Sequence, residues 1–290
     1  MRHDGGAGRD MRQGVNEPTG TKRTHEGRAM TRTVLEFKNV TKIFGSKRRG
    51  STEVTAIKDV SFAIKEGEIV SIIGPSGCGK STCLNLGSGL DPVTAGEVYV
   101  DGERVTKPNS HVAFMLQKDL LLPWRTIRKN VELGLEIQHS SIDRSARAID
   151  LLNKCHLTGF IDHYPHELSG GMRQRAALAR TLAVNPSVLL MDEPFSALDA
   201  QTKMVLQQDL GKTLAETGKT ALFITHDLVE AIALSDRVLV MSQRPGTIIE
   251  EILIDIPDRD NPMQRRKDAR VGPYVGQLMD LLHIGETEDA

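Results

Sequence analysis

Residues Gly74, Gly79, Lys80 and Ser81 are spaced as G-x-x-x-x-G-K-[ST] within Gly74-Pro75-Ser76-Gly77-Cys78-Gly79-Lys80-Ser81-Thr82, the pattern of a phosphate-binding loop. Glycines let the backbone curl so that successive N–H groups face a common anion. A helix that starts at the loop adds the positive end of its dipole. In such a cradle Lys80 reaches the β- and γ-phosphates, and the Ser81 hydroxyl ligates Mg²⁺. A chance Gly-rich turn would match the four fixed positions in roughly one or two such chains per hundred. The flanks reduce that further. Glu68 to Ile73 is a short apolar, β-branched run that reads as a buried strand, and Ser81 to Leu86 reads as the first turns of a helix. A nucleoside triphosphate is the expected ligand of Gly74 to Thr82.

A second candidate lies at Val188-Leu189-Leu190-Met191-Asp192-Glu193, an apolar strand that ends in two carboxylates. At a strand tip beside the phosphate loop, Asp192 can hold Mg²⁺, usually through water. Glu193 is then placed to orient or deprotonate an attacking water. A strand ending in Asp-Glu is by itself usually solvated charge, so the reading depends on its neighbours.

The elements that must position these residues follow from periodicity. Val34 to Val40, Val54 to Ile57, Val60 to Ile64 and Gly96 to Val100 read as strands, with Asp101-Gly102 as a hairpin turn before Arg104-Val105. The N-terminal third is therefore expected to lay antiparallel β structure against a nucleotide-binding core. His111 to Leu116 is the next strand. Helical patterns cover Ile127 to Gln138, Ile142 to Leu157 and Gly171 to Val184, the last stopping at Asn185-Pro186. Strands at Val188 to Met191, Thr220 to Thr225, Val238 to Met241 and Thr247 to Ile254 then alternate with helices at Ala200 to Glu216 and from Leu228. Such alternation predicts a mostly parallel sheet with helices on its faces. Asn261-Pro262 suits a helix cap and first turn, ahead of a final helix over Tyr274 to Leu282.

The sharpest motif is Leu168-Ser169-Gly170-Gly171-Met172-Arg173-Gln174-Arg175. With it the sequence resembles the ATP-binding cassette (ABC) ATPases, whose signature reads L-S-G-G-Q; Met172 stands at the fifth position. The resemblance covers Val34 to Ile254 and implies a P-loop NTPase core, an antiparallel β subdomain and a helical signature subdomain. It implies ATP and Mg²⁺ as cofactors and ATP hydrolysis coupled to transport. Ser169, Gly170 and Gly171 at a helix N-terminus would form a second phosphate-binding surface, used by a second chain. Phe44 resembles the aromatic platform that stacks on adenine, against the competing reading of a core aromatic at a strand end. Gln117 resembles the loop glutamine that contacts Mg²⁺ and the attacking water. Ser196-Ala197-Leu198-Asp199 resembles the loop that crosses the dimer interface, and His226 the switch histidine that holds the γ-phosphate.

Leu121-Leu122-Pro123-Trp124-Arg125 and Gln243-Arg244-Pro245-Gly246 look like the nitrate, sulfonate and taurine importer ATPases. The resemblance implies a homodimer of ATPase subunits, transmembrane permease subunits and, indirectly, an external solute-binding protein. It also implies a peripheral place on the cytoplasmic face of the inner membrane. Trp124 would be either an exposed docking hot spot or a buried loop anchor. The alternative function is a soluble ABC ATPase in a DNA- or ribosome-associated machine. The interval from Ser81 to Leu168 has no long heptad run, which disfavours an SMC-like protein.

Composition sets the remaining bounds. A net charge of −1 over 290 residues supplies no basic field, so nucleic acid is not an expected partner. No apolar run approaches the length of a transmembrane helix. Residues 1–33, rich in Gly, Arg and Thr, read as a disordered extension and not a secretory signal, and Met11 or Met30 could also initiate. Residues 34–256 read as the ATPase domain and 257–290 as a tail with a short helix. The three cysteines, Cys78, Cys83 and Cys155, have no metal-type spacing and suit a reducing compartment. Cys78 is either a small residue that fits the phosphate loop or a thiol open to modification.

Overall fold

A computed structural model describes residues 32–45, 53–196 and 198–284. The basic loop Ser46 to Ser51, Ala197, the acidic chain end and all but Arg32 and Thr33 of the N-terminal extension lie outside the described residues. Thr33 opens the first strand, and Arg32 pairs with Asp101.

Two sheets carry the fold. In the antiparallel sheet, β2 (Val54–Lys65), β1 (Thr33–Phe44), β4 (Ala95–Val100) and β5 (Glu103–Arg104) lie in that order. The strand read as Val34 to Val40 runs on to Phe44, and the two segments read within β2 are one strand, with β1 and β2 each 12 residues long. Their register slips between Phe37 and Val40, where Asn39 and the facing Asp59 take positive φ values of 47° and 49°. Ser61 and Thr41 hydroxyls accept the displaced N–H groups of Asn39 and Asp59. The broken alternation is therefore a satisfied bulge and not a chain break. Asp101 and Gly102 both have positive φ, as a tight two-residue hairpin requires.

The second sheet runs β10 (Ile248–Leu253), β9 (Arg237–Met241), β3 (Ile69–Ile73), β8 (Thr220–Ile224), β7 (Val188–Asp192) and β6 (Val112–Met115). Only β10 is antiparallel to its neighbour; the other pairings are parallel. β3 and β8 are buried at every residue, which is why they read as unbroken apolar runs.

One face of this sheet packs against the antiparallel sheet and α1 (Lys80–Ser88), through Phe37, Ile57, Ile72, Leu84, Leu190 and Leu222. The other face meets α2 (Ile127–Ile137), α3 (Arg144–Lys154), α4 (Gly170–Ala183) and α5 (Ala200–Thr217). Thr126, Asp143, Ser169 and Asp199 each accept a backbone N–H at the starts of these helices, the role for which such side chains are preferred. Asp143 therefore starts α3 two residues after Ile142, where the apolar pattern begins.

α6 (Leu228–Leu234), α7 (Pro262–Arg265) and α8 (Val271–Leu281) complete the chain. Asn261 caps α7 as the sequence suggests. The last helix starts three residues before Tyr274, because Pro273 sits in a first turn whose N–H groups need no helical partner. Arg265 is fully buried and donates to the carbonyls of Ala233, Ser235 and Ile256, tying α7 to the C-terminal end of α6.

Candidate active site

The phosphate loop joins β3 to α1, as the motif requires. Its backbone leaves no room for side chains at two glycines. A Cβ on Gly74 would lie 2.9 Å from the Met241 carbonyl; one on Gly79, whose φ is +110°, would lie 2.4 Å from Ile57 Cγ2. Lys80 folds back over the loop and donates from Nζ to the Gly74 and Pro75 carbonyls, both at 2.8 Å. Cys78 is buried beneath the loop, which answers its two readings in favour of packing.

The catalytic candidates converge because parallel strands end on one side. β6, β7 and β8 are neighbours, and Gln117, Asp192-Glu193 and His226 follow or close them at their carboxyl ends. Crevices at that edge are where open α/β sheets hold ligands. Ser81 Oγ donates to Asp192 Oδ1 at 3.2 Å. Gln117 Nε2 donates to Glu193 Oε2 at 3.2 Å and to Ser196 Oγ at 3.1 Å. His226 Nδ1 lies 3.5 Å from Glu193 Oε1. Glu193 itself has a φ of 46°, in the left-handed region. A non-glycine residue held there is strained, and such strain is concentrated at functional sites.

Burial holds the Asp192 carboxyl above the usual range, against the Ser81 hydrogen bond, with the nearby Glu193 charge adding to the rise. A cation would relieve both effects. The Ser81 hydroxyl and Asp192 carboxylate are hard oxygen donors in contact, a set that fits Mg²⁺ completed by phosphate oxygens and water. Among the described residues no group of three or more His, Cys, Asp or Glu could hold a metal alone.

A cleft of about 450 Å³ opens beside the loop. Phe44, Ser76, Gly77, Lys80, Ser81, Thr82 and Glu193 are in its wall. Phe44 is 42% exposed, so it is not the core aromatic of the competing reading. Lys42 Nζ sits 4.8 Å from its ring.

Ser169, Gly170, Gly171 and Asp199 are not brought to this cleft by their own chain. Ser169 Oγ accepts from Met172 N at 3.3 Å, and Asp199 Oδ1 from Thr202 N at 3.0 Å. Hydrogen bonds from Thr202 keep the Asp199 carboxyl below its ordinary range. Gly170 instead borders a second concavity of about 650 Å³, together with Gln117, Asp119 and Arg173.

Sequence reasoning left Gln174 unassigned. It is buried and donates from Nε2 to the carbonyls of Gln117, at 3.3 Å, and Pro194, at 2.9 Å. The signature helix thus grips the backbone beside both Gln117 and Glu193. Its only sequence signal is a long polar residue one turn before Ala177 and Leu178 on a mostly apolar helix face.

Comparison with known proteins agrees with this arrangement. A model of the ABC transporter family matches residues 57–196. The nitrate import ATP-binding protein NrtD of Synechocystis sp. is 43% identical over 261 residues, 88% of this chain and 97% of that one. This chain belongs to the ABC transporter ATPase family.

Other relatives extend the match. The taurine import ATP-binding protein TauB of Rhizobium johnstonii is 41% identical over 250 residues, 85% of this chain and 95% of its own. The aliphatic sulfonates import ATP-binding protein SsuB of Bacillus thuringiensis subsp. konkukian is 42% identical over 215 residues, 74% and 83% of the two chains. A solved dimeric post-hydrolysis state of the ATP-binding cassette MJ0796, bound to ADP and Pi, superposes with a TM-score of 0.67 at 37% identity. It covers 77% of this chain and 99% of that one. This ABC ATPase therefore binds ATP and hydrolyses it in support of transport. Among its described residues no helix is long and apolar enough to cross a membrane.

Proposed function

We propose that this ABC ATPase is the energy-coupling subunit of an importer for nitrate, a sulfonate, taurine or a related small anion. The observation that carries the catalytic part is Glu193 held between Gln117 and His226, at the edge of the cleft that Lys80 and Ser81 line. The kinship with nitrate, taurine and sulfonate import proteins supports the importer part.

In this reading the loop N–H groups of Gly74 to Thr82 and Lys80 Nζ bind the triphosphate, with Lys80 exchanging two loop carbonyls for phosphate oxygens. Phe44 stacks on the base. Ser81 and Asp192 hold Mg²⁺, with Gln117 beside them; the ion neutralises charge on the phosphates when bound. Glu193 takes a proton from the attacking water, and His226 keeps Glu193 and the γ-phosphate in register. Two copies close head to tail, so that Ser169, Gly170, Gly171 and Asp199 of one face the nucleotide on the other. Ser169 and the two glycines open a helix whose N-terminus favours anions, yet none of the three is among the described residues that line the cleft of their own chain.

The permease subunits dock near Trp124, which is 72% exposed, and Leu120, also exposed. In this reading the ATPase sits peripherally on the cytoplasmic face of the inner membrane, and a solute-binding protein is reached only through the permease. A pull-down of tagged Glu193→Gln protein with ATP from detergent-solubilised membranes tests the assignment. Co-purification of a polytopic permease is the expected result. Recovery of only ribosomal or DNA-bound partners would replace the importer with a soluble machine.

A further inference from the structure

Arg244 belongs to the Gln243-Arg244-Pro245-Gly246 motif, and no role in the site has been assigned to it. The loop that carries it, residues 242–247, joins β9 to β10 and lies against the phosphate loop. Gly246 N donates to the Ala56 carbonyl and Lys58 N to the Gly246 carbonyl, each at 2.9 Å. A Cβ on Gly246 would fall 2.0 Å from the Cys78 carbonyl oxygen, so the two loops touch backbone to backbone. That contact fixes where the Arg244 side chain is delivered. Its Nε donates to the Gly77 carbonyl at 3.1 Å, and Nη2 lies 3.2 Å from the position a Cβ on Gly77 would take.

The guanidinium thus lies along the phosphate loop and forms part of the wall of the same cleft as Phe44 and Lys80. Its Nη groups have no hydrogen-bond or ion-pair partner among the described residues. A guanidinium carries five donors in a planar fork suited to phosphate oxygens, and one is used here. Lys80 and Arg244 are the only cations among the described residues of the cleft wall, opposed by Glu193 alone. In the proposed reading Lys80 reaches the β- and γ-phosphates. Arg244 is anchored at Gly77 and makes no ion pair with Asp192 or Glu193, where the transferred phosphate would react.

We infer that Arg244 is a nucleotide-binding residue that holds the non-transferred phosphates of ATP and ADP through charge-assisted hydrogen bonds from its Nη groups. The inference rests on the reading of the Phe44–Lys80 cleft as the nucleotide site. A contact to phosphates that do not move is the same before and after hydrolysis. It therefore sets affinity and not the rate of the chemical step.

The test compares wild type, Arg244→Gln and Arg244→Lys, with Lys80→Ala as the control for the site. Calorimetric affinities for ATP and ADP with Mg²⁺ are measured at two salt concentrations, beside steady-state ATPase kinetics and melting without nucleotide. Arg244→Gln is expected to weaken ATP and ADP alike by about 5- to 20-fold, the size of an exposed charge-assisted phosphate contact. KM should rise by the same factor while kcat moves less than about twofold. Affinity should depend less on salt, and Arg244→Lys should recover part of it. Unchanged affinities for both nucleotides would overturn the inference. So would a fall in kcat together with a lower melting temperature without nucleotide, since Arg244 would then only brace Gly77. Normal binding by Lys80→Ala would instead overturn the cleft as the nucleotide site.

Discussion

Lys203 Nζ, projecting from α5, lies 2.8 Å from Asp227 Oδ2, on the residue directly after His226. The same ammonium is 2.9 Å from Glu230 Oε2, and Gln207 Nε2 donates to that oxygen at 2.8 Å. Arg266, just beyond α7, donates to Gln207 Oε1. A continuous polar chain therefore links the C-terminal helices to the strand end that presents His226. Burial works against the Lys203 charge, but its two carboxylate partners outweigh burial and hold it above the ordinary lysine range. Glu230 lies deeper, and burial dominates there, raising its carboxyl.

Lys203→Met should therefore destabilise the protein by on the order of 2–4 kcal/mol, because Glu230 stays buried with its cation removed. Thermal unfolding reads this loss. Below the melting transition, ATP affinity should stay close to wild type while kcat falls, since His226 loses its support and the phosphate loop does not. Loss of affinity equal to the loss of kcat would rule out a selective role for this chain of contacts.

Glu193→Gln removes the proposed base and keeps the hydrogen-bonding shape between Gln117 and His226. ATP affinity should be retained and turnover should fall by roughly 10²- to 10⁴-fold, the usual contribution of a positioned general base. Normal turnover in a phosphate-release assay would take the proton-accepting role away from Glu193.

Gly246→Ala puts a methyl group against the Cys78 carbonyl, inside the phosphate loop. Backbone on both sides prevents an easy escape, so the loop itself must shift. ATP affinity and melting temperature should fall together. A neutral result would show that the two loops separate freely.

The cysteines carry a pH prediction. Burial pushes the Cys83 and Cys155 thiols up to about 12, Cys83 further helped by the neighbouring Cys78. The folded state therefore keeps protons that the unfolded chain releases near pH 9, and stability must fall as pH rises from 9 towards 12. Replacing both by alanine should flatten this alkaline decline in denaturant titrations. With all three cysteines buried, a maleimide at pH 8 should label the unfolded protein and spare the native one.

The site was unevenly legible for physical reasons. The phosphate loop is local: one stretch of nine residues supplies the backbone curl, the lysine and the hydroxyl, so spacing alone displays it. Glu193 was visible as a carboxylate ending an apolar run, a pattern that follows from buried parallel strands opening into a crevice, whereas His226 was reached only through the resemblance to the family. Asn39 and Asp59 misled periodicity, because a bulge breaks alternation without ending a strand. Gln174, Lys203 and Arg244 were out of reach, since each acts through partners between 20 and 167 residues away.

By itself the sequence pointed to Gly74 to Thr82 as the nucleoside triphosphate site and to an ABC ATPase, because those readings rest on contiguous motifs. Only the tertiary structure decided that Phe44 is exposed on the cleft, that Cys78 is buried beneath its loop and that Trp124 stands in the open. It also decided that Ser169 and Asp199 spend their side chains on helix caps and leave their own chain's cleft to others. Exposure and distance depend on which strands become neighbours, and the order β3, β8, β7, β6 is a property of packing that no local pattern encodes.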